Sequence, residues 1–273
     1  MDPGFWLGCA RGTTAFLLLL VVLAVRVRHT PFVRDARPVD AARAPRVSVI
    51  APALNEARGI EAAVRSLAAQ DYPDLELLIV DDRSTDATPA ILARLAAELP
   101  RLRVLTVREL PPGWIGKNHA NWLAARHATG EWLLFTDADV VLAPDAIARA
   151  VGYAAAQGLD HLAVAPQIRL PGRVLQQFVL YFGLMFLLFL RPWAARDPRS
   201  RAVVGIGPFN LVRAAAYRAA GGHERIRLRP DDDLRLGQIV KRAGHASGFA
   251  AGQGCVELPW YGSWRELRDG LMK

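Results

Sequence analysis

Two cysteines in 273 residues leave this chain without a disulfide framework or a thiolate metal site. Cys9 lies in an apolar N-terminal stretch and Cys255 stands alone near the other end, so no metal-ligand spacing exists. No Gly-x-Gly-x-x-Gly and no Walker A loop follows the first apolar strand, which removes the main support for a dinucleotide or P-loop reading. No run of basic residues interleaved with aromatics resembles a nucleic-acid module, and nucleic acid is not expected as a partner. The net charge of +8 then points to anionic lipid or to phosphorylated substrates. Charged residues are only 22% against 52% hydrophobic, which fits a globular domain with membrane-type segments added.

The first such segment runs from Phe5 to Val25, interrupted by Arg11 and densest from Ala15. A spanning helix takes about 20 residues, so the stretch just suffices. Met1-Asp2-Pro3 lacks the basic start of a signal peptide, and no Ala-x-Ala site follows the apolar core. Residues 1–28 therefore read as a membrane anchor. Arg26, Arg28, Arg34, Arg37, Arg43 and Arg46 come next and place the following domain on the cytoplasmic face of the cell membrane. Residues 29–45, with Pro31, Pro38 and Pro45, read as a linker.

From residue 46 the pattern is strand, helix, strand, helix, strand. Val47 to Pro52 and Leu75 to Val80 are apolar and β-branched, as is Leu102 to Val107. Ile60, Val64 and Leu67 share one helical face, and Ile91, Leu92, Leu95 and Leu99 another. This order predicts an α/β fold with a mostly parallel central sheet and helices on both faces. In such folds polar groups at the carboxyl ends of strands line the ligand crevice. Asn55, Asp82, Asp137 and Asp139 fall there. Asp137 and Asp139, one residue apart after Trp132-Leu133-Leu134-Phe135, face the same way in extended chain and suit Mg²⁺ or Mn²⁺. The plainer alternatives are solvated caps and turns. Ser84 or Asp86 caps a helix, Asn55 makes a turn bond and Glu56 is a first-turn helix residue.

Val47-Ser48-Val49-Ile50-Ala51-Pro52-Ala53-Leu54-Asn55-Glu56, Val80-Asp81-Asp82-Arg83-Ser84-Thr85-Asp86 and Thr136-Asp137-Ala138-Asp139, in that order and spacing, resemble a family 2 glycosyltransferase of the GT-A fold. The resemblance covers roughly residues 46–252. It implies a nucleotide-sugar donor, UDP-glucose first among them, and an inverting transfer. Pro52, Ala53, Asn55 and Glu56 then border the nucleotide, and Asp82 accepts a hydrogen bond from the base. Asp137 and Ala138 lie near the ribose, and Asp139, with Asp137, holds the metal on the diphosphate. Many family members carry an aromatic or Arg where Leu54 stands. Gly113-Trp114-Ile115-Gly116-Lys117 resembles a branch that glycosylates membrane lipids, including carotenoid and hopanoid-associated enzymes. Lys117 offers a cation to the diphosphate.

The resemblance continues into an acceptor half at 141–260. Asp231-Asp232-Asp233 precede a helix, with Leu236 three positions after Asp233. Asp233 is implied as the general base on an acceptor hydroxyl, beside Asp232. Crowded carboxylates raise one another's pKa, which helps a base near neutral pH. Pro144 to Ala156 reads as a helix and Asp160 to Gln167 as a strand. An apolar helix within 174–190 has a fully apolar part, Phe178 to Leu190, that is thirteen residues long and too short to cross a bilayer. It is expected to lie at the interface and admit a lipid acceptor; a buried core helix is the alternative. Residues 261–273, with Trp264, Arg265 and Arg268, read as a juxtamembrane segment. Related membrane enzymes continue into further spans, so the sequence fits a piece of a longer protein. The Gln-x-x-Arg-Trp motif of processive synthases is absent, which implies single-sugar transfer. Two rivals stand beside this reading. One is a polyprenyl-phosphate glycosyltransferase and the other a non-catalytic sugar-nucleotide-binding scaffold.

Overall fold

The computed structural model describes residues 3–169 and 172–259. The chain opens with helix α1 (Pro3–Arg28), then β1 (Val47–Ala53), α2 (Ile60–Ala68), β2 (Leu75–Asp82), α3 (Thr88–Glu98), β3 (Leu102–Val107) and α4 (Gly116–His127). It continues with β4 (Trp132–Phe135), β5 (Val141–Leu142), α5 (Ala146–Ala156), β6 (His161–Ala165), β7 (Gln167–Arg169) and α6 (Arg173–Leu190). It closes with β8 (Asn210–Arg213), α7 (Ala214–Ala219), α8 (Asp232–Arg242), β9 (Ser247–Ala251) and β10 (Val256–Pro259).

A seven-stranded sheet has the order β3-β2-β1-β4-β8-β6-β9. All neighbours are parallel except β8, which runs antiparallel to β4 and β6. The sheet is thus mostly parallel, as the alternating pattern predicts. Every residue of β2 is buried, and β1 is nearly so, because helices cover both faces. Two apolar layers result. Ile60, Val64 and Leu92 lie in one; Ala120, Ala124 and Leu236 lie in the other. Pro52 is tolerated in a central strand because the register with β4 stops at Ile50. Glu76, a buried charge in β2, is satisfied by Ser48 Oγ, the Thr129 N–H and hydroxyl, and Arg46.

The chain builds β1, β2 and β3 in one direction and then jumps back to place β4 on the other side of β1. That reversal opens a crevice at the carboxyl ends of β1 and β4. A small sheet, β5-β10-β7, closes one side of it.

Two expectations change. Residues 29–45 are not a detached linker. Val33 is buried in the core, Ala251 N–H donates to Pro31 O at 2.8 Å and Val39 N–H to Ala148 O at 2.9 Å. The Arg149 guanidinium donates to the carbonyls of Arg34 and Ala36. Prolines here shape a strap that binds through its backbone, which hydropathy does not reveal. Helix α6 spans 18 residues, about 27 Å at the usual rise, close to the 174–190 expected, and what changes is the expectation that its apolar part is too short to cross a bilayer. Leu175–Ala194 is long and apolar enough to cross a membrane, and 6% of its most apolar window is buried, which excludes the core-helix alternative. Leu180, Tyr181 and Phe189 are exposed, whereas Phe186 packs against the body beside Phe249. Trp264, Arg265 and Arg268 lie outside the described residues.

Candidate active site

The loops after β1, β2 and β4 and the first turn of α4 enclose a cleft of about 1010 Å³. Pro52, Ala53, Asn55 and Glu56 line it from β1, Asp82 and Arg83 from β2, and Asp137, Ala138 and Asp139 from β4. Gly116 and Lys117 supply the wall from α4, and Leu258 and Pro259 that from β10. All of the residues that the sequence assigns to a nucleotide as an expectation therefore share one space.

Their side chains are engaged to different degrees. Asn55 adopts a left-handed backbone, φ 58°, and its Oδ1 accepts from Thr85 N–H at 2.8 Å and Asp86 N–H at 3.3 Å. The carboxamide thus ties the β1 loop to the β2 loop, which is the turn role. Asp86 accepts from Thr88 N–H and Ala57 N–H and completes that tie. Asp82 is gripped by Arg83, with Nε–Oδ1 at 2.8 Å and Nη2–Oδ2 at 2.9 Å. Gly116 lets the first turn of α4 approach this pair closely: a Cβ there would stand 2.3 Å from Asp82 Oδ2 and the pair would have to shift. His119 is a packed helix residue whose ring meets Trp114 and Trp122.

Lys117 is the hinge of the geometry. Its Nζ bonds Asp137 Oδ1 at 2.7 Å and stands 3.9 Å from Asp232 Oδ1. Burial opposes its charge, but the carboxylates of Asp137, Asp232 and Asp233 outweigh that and hold the ammonium protonated well above the usual lysine range. Lys117 and Asp137 also border a second, water-sized cavity of about 10 Å³, lined by Asp232, Asp233, Asn210, Asn121 and His223. The two acidic groups of α8 thus sit behind the same ion pair that walls the large cleft.

Asp233 is fixed by two backbone donors, Gly207 N–H to Oδ2 at 2.8 Å and Leu234 N–H to Oδ1 at 2.7 Å. Burial nevertheless raises its pKa, Lys117 and those donors pulling the other way. Burial also pushes Asp232 up to about 6, against Lys117 and helped by Asp233. His223 Nδ1 is hydrogen-bonded to the Tyr217 hydroxyl, which also accepts from His223 N–H, and Nε2 faces Asp232 at 3.9 Å. Burial and Lys117 push His223 down to about 3, so it is neutral. Asn118 anchors the start of α4 to the turn before α8 through the carbonyls of Ile226 and Arg229.

Asp139 is half-buried and makes no ion pair among the described residues. Burial and Asp137 push it up to about 6. No group of three or more His, Cys, Asp or Glu side chains suited to a metal occurs among the described residues. A divalent cation therefore fits here only as a shared ion. One or two hard carboxylate oxygens come from the chain, and the rest of the shell from a bound diphosphate and water. The uncompensated charge of Asp139 suits that arrangement.

The model for glycosyl transferase family 2 matches residues 48–213. This chain belongs to that family. The succinoglycan biosynthesis protein ExoO of Rhizobium meliloti is 36% identical over 234 residues, which is 84% of this chain and 62% of that protein. The 4,4'-diaponeurosporenoate glycosyltransferase of Staphylococcus haemolyticus is 25% identical over 83% of this chain and 60% of its own length. The chain therefore spans under two thirds of these curated relatives. Among solved structures, the mannosyltransferase PcManGT from Pyrobaculum calidifontis, in complex with GDP-Man and Mn²⁺, superposes with a TM-score of 0.65 at 27% identity. It covers 89% of this chain and 65% of that one. The fold is GT-A.

Within this family 2 domain, reasoning from sequence passed over Asn121, Asn210 and His223, which line the acid cavity. Asn210 and His223 lie beside residues that drew attention, but a single polar residue in an apolar strand or turn has no spacing to betray it.

Proposed function

We propose that this domain is a membrane-attached, inverting glycosyltransferase acting on the cytoplasmic face. It moves one sugar from a nucleoside-diphosphate donor, UDP-glucose to be tried first, to a hydroxyl of a membrane lipid of carotenoid or hopanoid type. The observation that carries this is the Lys117–Asp137 pair, which forms the common wall of the large cleft and the buried acid cavity. Such a wall is where a donor's anomeric carbon must meet an acceptor.

In this reading Pro52, Ala53, Asn55 and Glu56 shape the nucleotide wall, and Asp82 sits on the base side with Asp137 and Ala138 nearer the ribose. Asp139, with Asp137, would hold Mg²⁺ or Mn²⁺, which supplies Lewis-acid stabilisation of the departing diphosphate. Lys117 is a fixed ammonium beside the same leaving group, where negative charge grows in the transition state. Asp233 takes the proton of the acceptor hydroxyl, and Asp232 and Lys117 set the field around it. The hydroxyl oxygen attacks the anomeric carbon from the face opposite the leaving group, so the configuration inverts. The bared apolar side of α6, the arginines after α1 and the diaponeurosporenoate relative support a lipid acceptor.

Mass spectrometry of lipids from cells with and without the gene is expected to show a hexose increment. Calorimetry with UDP and Mn²⁺ is the test in the tube, and no binding of any nucleoside diphosphate would overturn the proposal.

A further inference from the structure

Helix α6 is long enough to cross a bilayer, but its ends are not free to part. A span puts its two ends on opposite sides of about 30 Å of hydrocarbon. Here Arg173 follows Arg169 by four residues, at most about 14 Å of extended chain. Arg169 belongs to β7, which is paired with β10 and joined to Glu257 by an ion pair of 2.6 Å. At the other end the chain turns on Arg191, φ 47°, and Pro192 and Ala195 are buried at once. Lys241 of α8 then donates to the carbonyls of Ala195 and Ala202, both at 2.7 Å. Between the two ends, Phe186 packs beside Phe249 of β9. A helix fastened to one body before its start, along its length and at its end lies along that body. Its exposed Leu180, Tyr181, Phe182 and Phe189 therefore enter a bilayer only from the side, at the boundary of headgroups and acyl chains.

The segment that leaves α6 carries the charge such a position needs. Arg191, Arg196, Arg199 and Arg201 are all exposed, and Asp197 is the one acidic residue in 191–201, so the segment has a net charge of +3. Asp197 accepts from the Arg199 backbone N–H at 2.9 Å and so closes a turn. Arg196 is partly engaged by Gln157. Arg191, Arg199 and Arg201 make no ion pair among the described residues. Half-buried Trp193 stands among them, a residue type suited to the headgroup level. A guanidinium fork matches the paired oxygens of a phosphate.

We propose that the 191–201 segment docks on the headgroups of anionic phospholipid, with α6 lying in the membrane plane beside it. This rests on reading the domain as membrane-attached. Lys241 sits in the last turn of α8, and Asp232 and Asp233 sit in the first. Headgroup contact is thus fastened, through Ala195 and Ala202, to the helix that carries the acid cavity. Neutral lipid meets the apolar side of α6 equally well but gives the arginines no net charge to neutralise.

The test is hydrogen–deuterium exchange of the full chain in nanodiscs of pure POPC and of POPC with about one-third POPG. Helix α1 is present in both, so the comparison reads the segment rather than attachment as such. Amide exchange over 195–204 is expected to be slower by about fivefold or more with POPG, since each arginine at an anionic surface is worth about fivefold in binding. High salt should remove the difference. Arg191→Gln, Arg199→Gln and Arg201→Gln together should abolish it, while β1 and β2 stay as protected as in the wild type. Should that variant fold poorly, the salt series on the wild type still decides. Equal exchange in the two nanodiscs overturns the proposal and leaves the membrane-attached reading standing. A POPG effect that survives in the folded triple variant assigns the anionic contact elsewhere, to the arginines after α1, and overturns it too. Slowing in POPC nanodiscs on adding millimolar inorganic phosphate marks a soluble-anion site and has the same consequence. A chain that enters neither nanodisc ends both readings.

Discussion

The large cleft and the acid cavity share a wall and are built on opposite terms. In the cleft of about 1010 Å³ most polar groups are already paired: Asp82 with Arg83, Asn55 with the 84–86 turn, and Asp86 with Ala57 and Thr88. In the cavity of about 10 Å³, buried Asp232 and half-buried Asp233 surround one shared cation, with their pKa values raised. A scaffold that only holds a nucleotide needs the first arrangement and gains nothing from the second. Buried, under-compensated carboxylates cost stability and are retained where chemistry uses them. The comparison therefore separates binding from catalysis by place, and each variant below is expected to strike one side of the wall or both.

The largest effect is expected from Asp233→Asn. It removes the proposed base while one of the two backbone donors, Gly207 N–H and Leu234 N–H, keeps an oxygen to bond and the other loses its acceptor to the amide NH₂. Transfer to a hydroxyl acceptor should fall by about 10²–10⁴, with UDP affinity unchanged by calorimetry. Substantial residual turnover would indicate an acceptor that is already anionic, such as a polyprenyl phosphate, and would dissolve the division of labour.

Lys117→Met strikes both sides. Asp137, Asp232 and Asp233 lose their common counter-ion. The Lys117 side chain is 39% exposed, so solvent screens part of the loss. We expect a stability change of about 1–3 kcal/mol rather than the full cost of breaking a buried pair. UDP affinity should drop by about tenfold or more, because a cation beside the diphosphate is gone. A Tm unchanged together with unchanged UDP binding would break the idea of a shared wall.

The pH dependence follows from the same charges. A carboxylate whose pKa is raised on folding is protonated at a higher pH than in the unfolded chain. Asp232 stands at about 6, so its carboxylate is ionised above that pH and is lost as pH falls through it; burial moves Asp233 in the same direction. Activity as kcat/KM is expected to drop by about tenfold per pH unit below pH 6. Lys117 is held protonated, so no descending limb belongs to it at mildly alkaline pH. The stability linkage has the opposite sign. Asp232 favours the folded state at low pH, and that contribution fades as pH rises from the ordinary aspartate range to about 6; Asp233, also raised, acts in the same sense. An acid limb absent from the rate profile would remove the carboxylates from the reaction.

The donor side was legible from sequence, and the acid side only in part. Apolar runs ending in Asn55, Asp82 and Asp137-Ala138-Asp139 mark strand ends directly, and parallel-strand topology brings strand ends together. The pairing state of those groups was not legible. It depends on φ at Asn55 and Arg83 and on Gly116 clearing the way, none of which leaves a periodic trace. Behind the wall, the Asp231-Asp232-Asp233 cluster was visible as letters. The partners His223, Asn210 and Asn121 come from three separate elements and meet only through packing. The strap at 29–45 was misjudged for a related reason, since its attachment runs largely through backbone carbonyls and N–H groups.

The smallest expected effect concerns α6 and its bare apolar surface. Leu180 is 77% exposed and Phe189 is 78% exposed, whereas Phe186 packs on the body. Charge placed at Leu180 or Phe189 therefore opposes insertion without disturbing the core, and charge at Phe186 confounds the two. With α1 present as a second apolar helix, the loss should be partial. Liposome flotation of the full chain carrying Leu180→Glu and Phe189→Glu is expected to fall about threefold, since each removed contact is a fraction of the apolar area buried in the interface. UDP binding should not move. Flotation equal to wild type would mean that α6 is covered by protein instead. The acceptor would then have to reach Asp233 from water, and the contrast between a donor side facing solvent and an acid side facing lipid would be lost.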